Sequence, residues 1–172
     1  MQTKPQGIHV TAIDSESIYR DSTDSLRRRL SPNDLMTPVT LPKVLLVDDD
    51  PTFGKIMTRV AAKSQVEVKY CQSYQEFCQM KEWNYDVAVV DYDLGPVNGF
   101  ELTAYMEKLT ENEIPVILVS QQTQTTANHW PAAIREFIHK SLGPYAVLDA
   151  VFEAHEVKRL YREIKHTIKK FH

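Results

Sequence analysis

The sequence predicts an α/β fold, a parallel sheet covered on both faces by helices, and three observations predict it. Short apolar runs recur without polar alternation, as expected of strands buried on both sides. Most of these runs stop on a polar residue that turn-forming residues follow. Between them lie amphipathic stretches that open with helix-start signals, so strand and helix alternate along the chain.

Residues 1–42 stand apart from this pattern. They are dense in Ser, Thr, Asp and Pro, and their apolar residues have no period. Five basic residues (Lys4, Arg20, Arg27, Arg28, Arg29) balance five acidic ones (Asp14, Glu16, Asp21, Asp24, Asp34). The segment reads as a flexible N-terminal extension, ordered only if it docks, with Asp24 able to cap a brief helix through Leu26 and Leu30.

From Lys43 the pattern is regular. Val44 to Val47 form a buried strand that ends in Asp48-Asp49-Asp50. Asp50 and Pro51 then read as N-cap and first helical residue, opening a helix with Phe53, Ile56, Met57 and Val60 on its apolar face. Val66, Val68 and Tyr70 alternate as a second strand, and Ser73-Tyr74-Gln75-Glu76 is a capping box for a short helix carrying Phe77 and Cys78. Val87 to Val90 are apolar throughout and stop at Asp91, after which Gly95-Pro96 and Asn98-Gly99 mark turns. A helix from about Gly99 carries Leu102, Tyr105, Met106 and Leu109. Ile114 to Val119 make a fourth strand ending at Ser120, and Phe137-Ile138 begin a fifth ending at Lys140. Gly143-Pro144 opens a last helical pattern.

The chain has 172 residues, 42% hydrophobic and 25% charged, enough for one domain with a sizeable core. Its net charge of -3 gives no reason to expect nucleic acid as a partner. Cys71 and Cys78 fit neither a redox nor a zinc pattern and should each pack as a small apolar residue in a reducing compartment. No apolar run approaches the ~20 residues of a membrane span, and no signal-peptide core is present, so a soluble cytoplasmic protein is expected.

Strand ends thus supply Asp48, Asp49, Asp91, Ser120 and Lys140, where open α/β sheets place their chemistry. Clustered carboxylates repel unless a cation joins them, and hard oxygen ligands favour Mg²⁺. A hydroxyl and an ammonium opposite them suit the oxygens of a transferring phosphoryl group. The stretches L-L-V-D-D-D-P, V-V-D-Y-D-L-G-P-V-N-G-F-E-L, I-P-V-I-L-V-S and F-I-H-K, in this order, resemble the CheY-like receiver domain of two-component response regulators. The resemblance covers about residues 43–150, leaving 151–172 as a continuation of the last helix.

The resemblance implies a flavodoxin-like, doubly wound five-stranded parallel sheet of order 2-1-3-4-5. It implies that Asp91 is the phospho-acceptor, taking a phosphoryl group from a histidine kinase or phosphotransfer protein. Mg²⁺ would be held by Asp49 and Asp91 directly, by Asp48 through water and by the backbone carbonyl of Asp93. Ser120 and Lys140 would bind the phosphoryl oxygens, and Phe137 would be the switch aromatic. Such a chain helps its own phosphorylation and dephosphorylation, carries no separate effector enzyme, and acts through an unknown downstream protein.

Three departures bear on this. Gln121 follows Ser120 where most receivers have a small residue, which narrows the donor's approach to Asp91. Ser141 follows Lys140 in place of the usual Pro. The stretch between Ser120 and Phe137 is polar and broken by Pro131, so a full fourth helix is not expected there. Gln121 and the irregular fourth-helix region support the alternative of a receiver-like scaffold that binds a partner without being phosphorylated. Asp91-Tyr92-Asp93 also resembles a haloacid-dehalogenase-type phosphatase motif, but the acidic pair precedes it and no acidic strand end follows Lys140. His155-Glu156 faintly resembles a histidine-kinase phosphorylation box and reads as a solvated helix histidine.

The last helix overruns the length usual in receivers. Ala150, Ala154, Val157, Tyr161, Ile164, Ile168 and Phe171 recur at alternating spacings of four and three, a short heptad seam. Beyond the sheet its stripe of Val157, Tyr161, Ile164, Ile168 and Phe171 needs a cover: the same helix of a second copy, the N-terminal tail or a partner protein, of which a homodimer is the favoured one. The accompanying basic residues, from Lys158 to Lys170, read as a solvated face.

Overall fold

The computed structural model describes residues 41–111, 113–122 and 130–170; the N-terminal extension through residue 40, with its candidate cap Asp24, and Phe171 lie outside the described residues. Strand β1 (Lys43–Val47) leads into helix α1 (Pro51–Lys63), β2 (Glu67–Cys71), α2 (Tyr74–Cys78), β3 (Val87–Asp91), α3 (Gly99–Thr110), β4 (Val116–Ser120) and β5 (Ile134–His139). A 3₁₀ turn (Lys140–Leu142) then runs into α4 (Gly143–Lys170). The five strands form one sheet in the order β2-β1-β3-β4-β5. Every neighbouring pair is parallel, with one register shift between Val116 and Ile117 where β4 meets β5. Among the described residues no helix lies between β4 and β5.

Strand parity sorts the core into two layers. Val44, Leu46, Val87, Val89, Ile117 and Val119 face α1 and α4, meeting Phe53, Met57, Val147, Leu148 and Val151. The alternate residues Leu45, Val47, Ala88, Val90 and Leu118 face α2 and α3, meeting Phe77, Leu102 and Met106. The sheet is therefore apolar on both sides, which is why β3 and β4 carry no alternation.

The helix starts follow local chemistry. The Asp50 carboxylate accepts the Thr52 N–H at 2.8 Å, with Pro51 at the first helical position. Ser73 Oγ accepts from Glu76 N, and Glu76 Oε2 in turn accepts from Gln72 N. Asn98 and Glu101 form a full capping box on α3, which the Asn98-Gly99 turn signal had hidden.

Four sequence expectations need correction. Ile56, Tyr105 and Leu109, assigned to core faces, are exposed, because the sheet covers a narrower arc of α1 and α3 than their apolar periods span. Cys71 is buried but Cys78 is exposed, at the end of a helix too short to shield it. His155 is not a solvated histidine; it packs beside Asp86, with Nε2 4.0 Å from Oδ2, and burial holds its pKa down. Lys158 is likewise no part of a solvated face: it is half-buried and donates to the carbonyls of Tyr85 and Asp86. Burial pulls its ammonium down to a pKa of about 8.

Helix α4 is 28 residues long, about 42 Å at the standard rise. Gly143 opens it at φ 83°, ψ 171°, a conformation that side chains other than glycine's avoid. Its first half packs on the sheet through Val147, Leu148, Val151 and Ala154. Past Ala154 the stripe of Val157, Tyr161, Ile164 and Ile168 is exposed, Tyr161 by 65%. Asp86, just before β3, anchors the start of this projecting half: its carboxylate lies 3.8 Å from Arg162 and accepts the Lys43 N–H at 3.0 Å. No described helix is long and apolar enough to cross a membrane.

Candidate functional site

Parallel strands all deliver their carboxyl ends to one edge, and the loops after β1, β3, β4 and β5 meet there. The edge gathers Asp48 and Asp49 from β1, Asp91 from β3, Ser120 from β4 and Lys140 from β5. Asp48, Asp91 and Ser120 are buried, and the Lys140 side chain is only 7% exposed. Carboxylate oxygens of Asp48, Asp49 and Asp91 all lie within 4.8 Å of one another. Lys140 Nζ stands between two of them, 2.8 Å from Asp48 Oδ2 and 2.8 Å from Asp91 Oδ2.

The two lysine contacts differ. Nζ donates a hydrogen bond to Asp91 Oδ2, whereas Asp48 Oδ2 is an ion-pair neighbour that receives no hydrogen bond. A buried carboxylate oxygen without a donor is costly to keep charged. Burial accordingly raises the Asp48 pKa from the usual carboxylate range to about 6, despite the opposing pull of Lys140. Burial also raises Asp91, partly offset by Lys140 and by a hydrogen bond from the Asp93 backbone. Burial alone would lower Lys140, but its close contacts with the two aspartates and their charges outweigh it and raise it instead. The set is an oxygen-rich pocket with one buried carboxylate oxygen that receives no hydrogen bond, and this donor set fits a hard divalent cation such as Mg²⁺.

Neighbouring residues fix these groups in place. Gly99 brings the first turn of α3 against β3; a Cβ there would sit 2.5 Å from the Asp91 carbonyl and 2.7 Å from Leu118 Cδ1. The Phe53 ring of α1 lies 4.8 Å from Lys140 Nζ, a cation–π contact on an edge assigned from sequence only to the core. Tyr70 donates to the Asp48 carbonyl at 2.9 Å and lies over Gly54, where a Cβ would meet its ring carbon at 2.1 Å. Burial pushes the Tyr70 hydroxyl up to about 12, so it remains a donor.

Ser120 Oγ accepts the Gln122 N–H at 2.9 Å, which leaves the hydroxyl proton for another acceptor. The Gln122 side chain donates to Asp93 Oδ2 at 3.1 Å across the mouth of the site. Asp93 itself sits at the start of a turn bridged to Asn98. Phe137 is half-buried on the α3 side of the sheet, its ring 6.0 Å from that of Trp130, which in turn lies 5.4 Å from Phe100. The peptide bond between Lys140 and Ser141 is trans. Sequence reasoning missed Gln122, Tyr70, Trp130 and His139, the last residue of β5. No local signal marks them, because each also reaches a group distant in sequence: Gln122 reaches Asp93, Tyr70 reaches Asp48, Trp130 reaches Phe100 and His139 reaches Gln121.

The chain matches the family model for the response regulator receiver domain over residues 44–152. It is 32% identical over 93 residues to two-component response regulator ARR11 of Arabidopsis thaliana, covering 52% of this chain and 17% of that protein. It is 29% identical over 87 residues to two-component response regulator ORR26 of rice, covering 49% of this chain and 15% of that one. The chain thus spans less than a fifth of the length of these relatives. Among solved structures, the CheY-like receiver domain protein of Methanospirillum hungatei superposes with a TM-score of 0.62 at 20% identity, over 71% of this chain and 99% of that one. Response regulator TrrA of Thermotoga maritima, solved with Mg²⁺ and BeF, gives 0.59 at 18% identity over 66% and 99%. Fold, strand-end site and family match agree: this chain belongs to the response regulator receiver domain family.

Proposed function

We propose that this chain is a cytoplasmic response regulator that accepts a phosphoryl group on Asp91 from a histidine kinase or phosphotransfer protein and signals through protein contacts. The observation that supports it best is the buried Asp48–Lys140–Asp91 contact beside Asp49, a geometry with no evident structural use and a cost in burial. In the reaction an Asp91 oxygen attacks the phosphorus of a phosphohistidine. The new O–P bond forms as the P–N bond breaks, and the electron pair leaves with the donor imidazole. The Lys140 ammonium and the free Ser120 proton bind the non-bridging oxygens. Asp48, Asp49, Asp91 and the Asp93 backbone carbonyl would hold Mg²⁺, which supplies positive charge against the same oxygens when bound. With these groups in place the domain assists both its own phosphorylation and the later hydrolysis of the acyl phosphate.

Readout runs through the strand ends. Lys140 already touches Asp91, so the motion on phosphorylation falls mainly to Ser120 and the loop after it, with Phe137 repacking beneath. In this reading residues 43–150 form the receiver and 151–172 a partner-binding continuation. Through Val157, Tyr161, Ile164, Ile168 and Phe171 the last helix pairs with a second copy. The heptad puts Lys165 on one flank and Leu160 and Thr167 on the other, Lys158 being engaged by the carbonyls of Tyr85 and Asp86. A parallel pair therefore sets the basic flank against an uncharged one.

The bond from Gln122 to Asp93 across the site favours a second reading, a receiver-like scaffold that is never phosphorylated. Incubation with Mg²⁺ and acetyl phosphate or phosphoramidate, followed by intact-mass measurement, separates the two. A gain of one phosphoryl group, absent in Asp91→Asn, supports phosphorylation. No gain with any donor leaves the scaffold.

A further inference from the structure

His139 touches neither carboxylate nor lysine of the site, yet both of its ring nitrogens are engaged. Ser141 N–H reaches Nδ1 at 3.2 Å and Ser141 Oγ lies 2.5 Å from the same atom. A backbone N–H can only donate, so Nδ1 is the acceptor and the neutral ring carries its proton on Nε2. Nε2 then donates to the Gln121 carbonyl at 2.7 Å.

Each arm of the ring ends on a group next to the phosphoryl-binding residues. The Nδ1 arm caps the 3₁₀ turn Lys140–Leu142, whose first residue is Lys140. The Nε2 arm holds the residue that follows Ser120, and the next residue, Gln122, returns its N–H to Ser120 Oγ. Ser120 and His139 are also register partners across β4 and β5. One imidazole therefore ties the two strand ends that carry the hydroxyl and the ammonium, on the side of the pocket away from Asp48 and Asp49.

We propose that His139 is a positioning residue for phosphoryl binding: its neutral ring holds Ser120 and Lys140 at a fixed separation, without contributing to the metal site. The inference rests on Asp91 being the phospho-acceptor. Hydrogen bonds to partly exposed groups add little to folding because water replaces them. Loss of fixed orientation between two groups that grip one ligand costs far more. His139 should therefore govern affinity for the phosphoryl group and leave stability and Mg²⁺ binding alone.

The test uses the full chain and three variants, His139→Ala, His139→Asn and Ser141→Ala, with beryllofluoride as the phosphoryl probe at saturating Mg²⁺. His139→Ala should weaken beryllofluoride binding on the order of tenfold and slow labelling by acetyl phosphate in proportion. Affinity for Mg²⁺ alone and the melting midpoint should stay at the parent values. His139→Asn should recover part of the loss, since its side-chain oxygen can still accept from Ser141 N–H but is too short to reach Gln121. Ser141→Ala, which keeps both N–H contacts of the ring, should bind nearly as the parent does. Parent-like affinity in His139→Ala overturns the inference, and so does a loss matched by weaker Mg²⁺ binding or a lower midpoint, which would mark a structural role. Failure of the unsubstituted chain to bind beryllofluoride overturns the phospho-acceptor reading and this inference with it, and is distinguished by arising in the parent.

Discussion

Replacing Asp48 by Asn should stabilise the metal-free protein, and the gain should depend on pH in a defined way. The Asp48 pKa rises from an ordinary 3.8 to about 6 because burial disfavours the charged form. A carboxyl that binds its proton more tightly in the folded state makes the folded state lose stability as pH rises. The loss begins near the unfolded pKa, grows through about 6 and is complete above it. A shift of this size corresponds to about 3 kcal/mol. Asparagine imitates the protonated acid at every pH, and the value for Asp48 already includes its attraction to Lys140, so the variant should recover most of that amount at neutral pH. For a domain of this size the midpoint should rise by roughly 10 °C.

Urea or thermal unfolding of both proteins with a chelator present, at several values from pH 4 to pH 8, measures the difference directly. Titration of groups away from the site cancels between the two proteins, while Asp91 and Lys140, which interact with Asp48, contribute to the difference. The variant should be more stable above pH 7, and the gap should close as pH falls through about 6 toward the ordinary carboxylate range. Mg²⁺ should narrow the gap at neutral pH by stabilising the parent more than the variant. A variant no more stable than the parent at pH 8, or a gap that persists unchanged at pH 4, refutes the argument that Asp48 is held charged against burial.

Gly99→Ala should cost about 1–3 kcal/mol in unfolding free energy, because its methyl would lie 2.5 Å from the Asp91 carbonyl and one of the two backbones must yield. In a Trp83→Phe background, beryllofluoride with Mg²⁺ should change the emission of Trp130, whose ring lies 6.0 Å from Phe137; an unchanged spectrum argues against repacking of Phe137. Ile164→Asp with Ile168→Asp should turn a dimeric full chain into a monomer in sedimentation at tens of micromolar, as each buried isoleucine contributes roughly 1.5–3 kcal/mol. A parent chain that is already monomeric at that concentration removes the homodimer.

Much of the architecture was legible because a doubly wound sheet writes itself into sequence. Strands buried on both faces lose alternation, and polar residues reappear where Val47, Val90 and Val119 hand over to Asp48, Asp91 and Ser120. Strand order came with the family resemblance, since period alone does not say which strands are neighbours. What escaped depends on distance in the chain. The stacking of Tyr70 over Gly54 joins β2 to α1, the Gln122–Asp93 bond joins two loops, and the engagement of Lys158 by Tyr85 and Asp86 spans more than seventy residues. Apolar period marked Ile56 and Tyr105 as inward, but only the width of the sheet decides where a helix face leaves cover. Basic residues near Lys158 read as solvated because nothing local announces that Asp86 waits beneath them.

The anchoring of α4 by Asp86 fixes the rotational phase of everything beyond it. His155, Lys158 and Arg162 reach Asp86 or its carbonyl from one side of the helix, and the next residues inherit that azimuth without a glycine or proline to reset it. Each residue turns the helix by about 100°. A single residue inserted after Arg162 would therefore swing Ile164 and Ile168 about a quarter-turn away from Val157 and Tyr161, breaking the stripe while leaving the receiver untouched. An insertion of seven would return it to phase one heptad further out. The direction in which this arm offers its apolar edge is thus set at the base of β3, the strand whose other end carries Asp91.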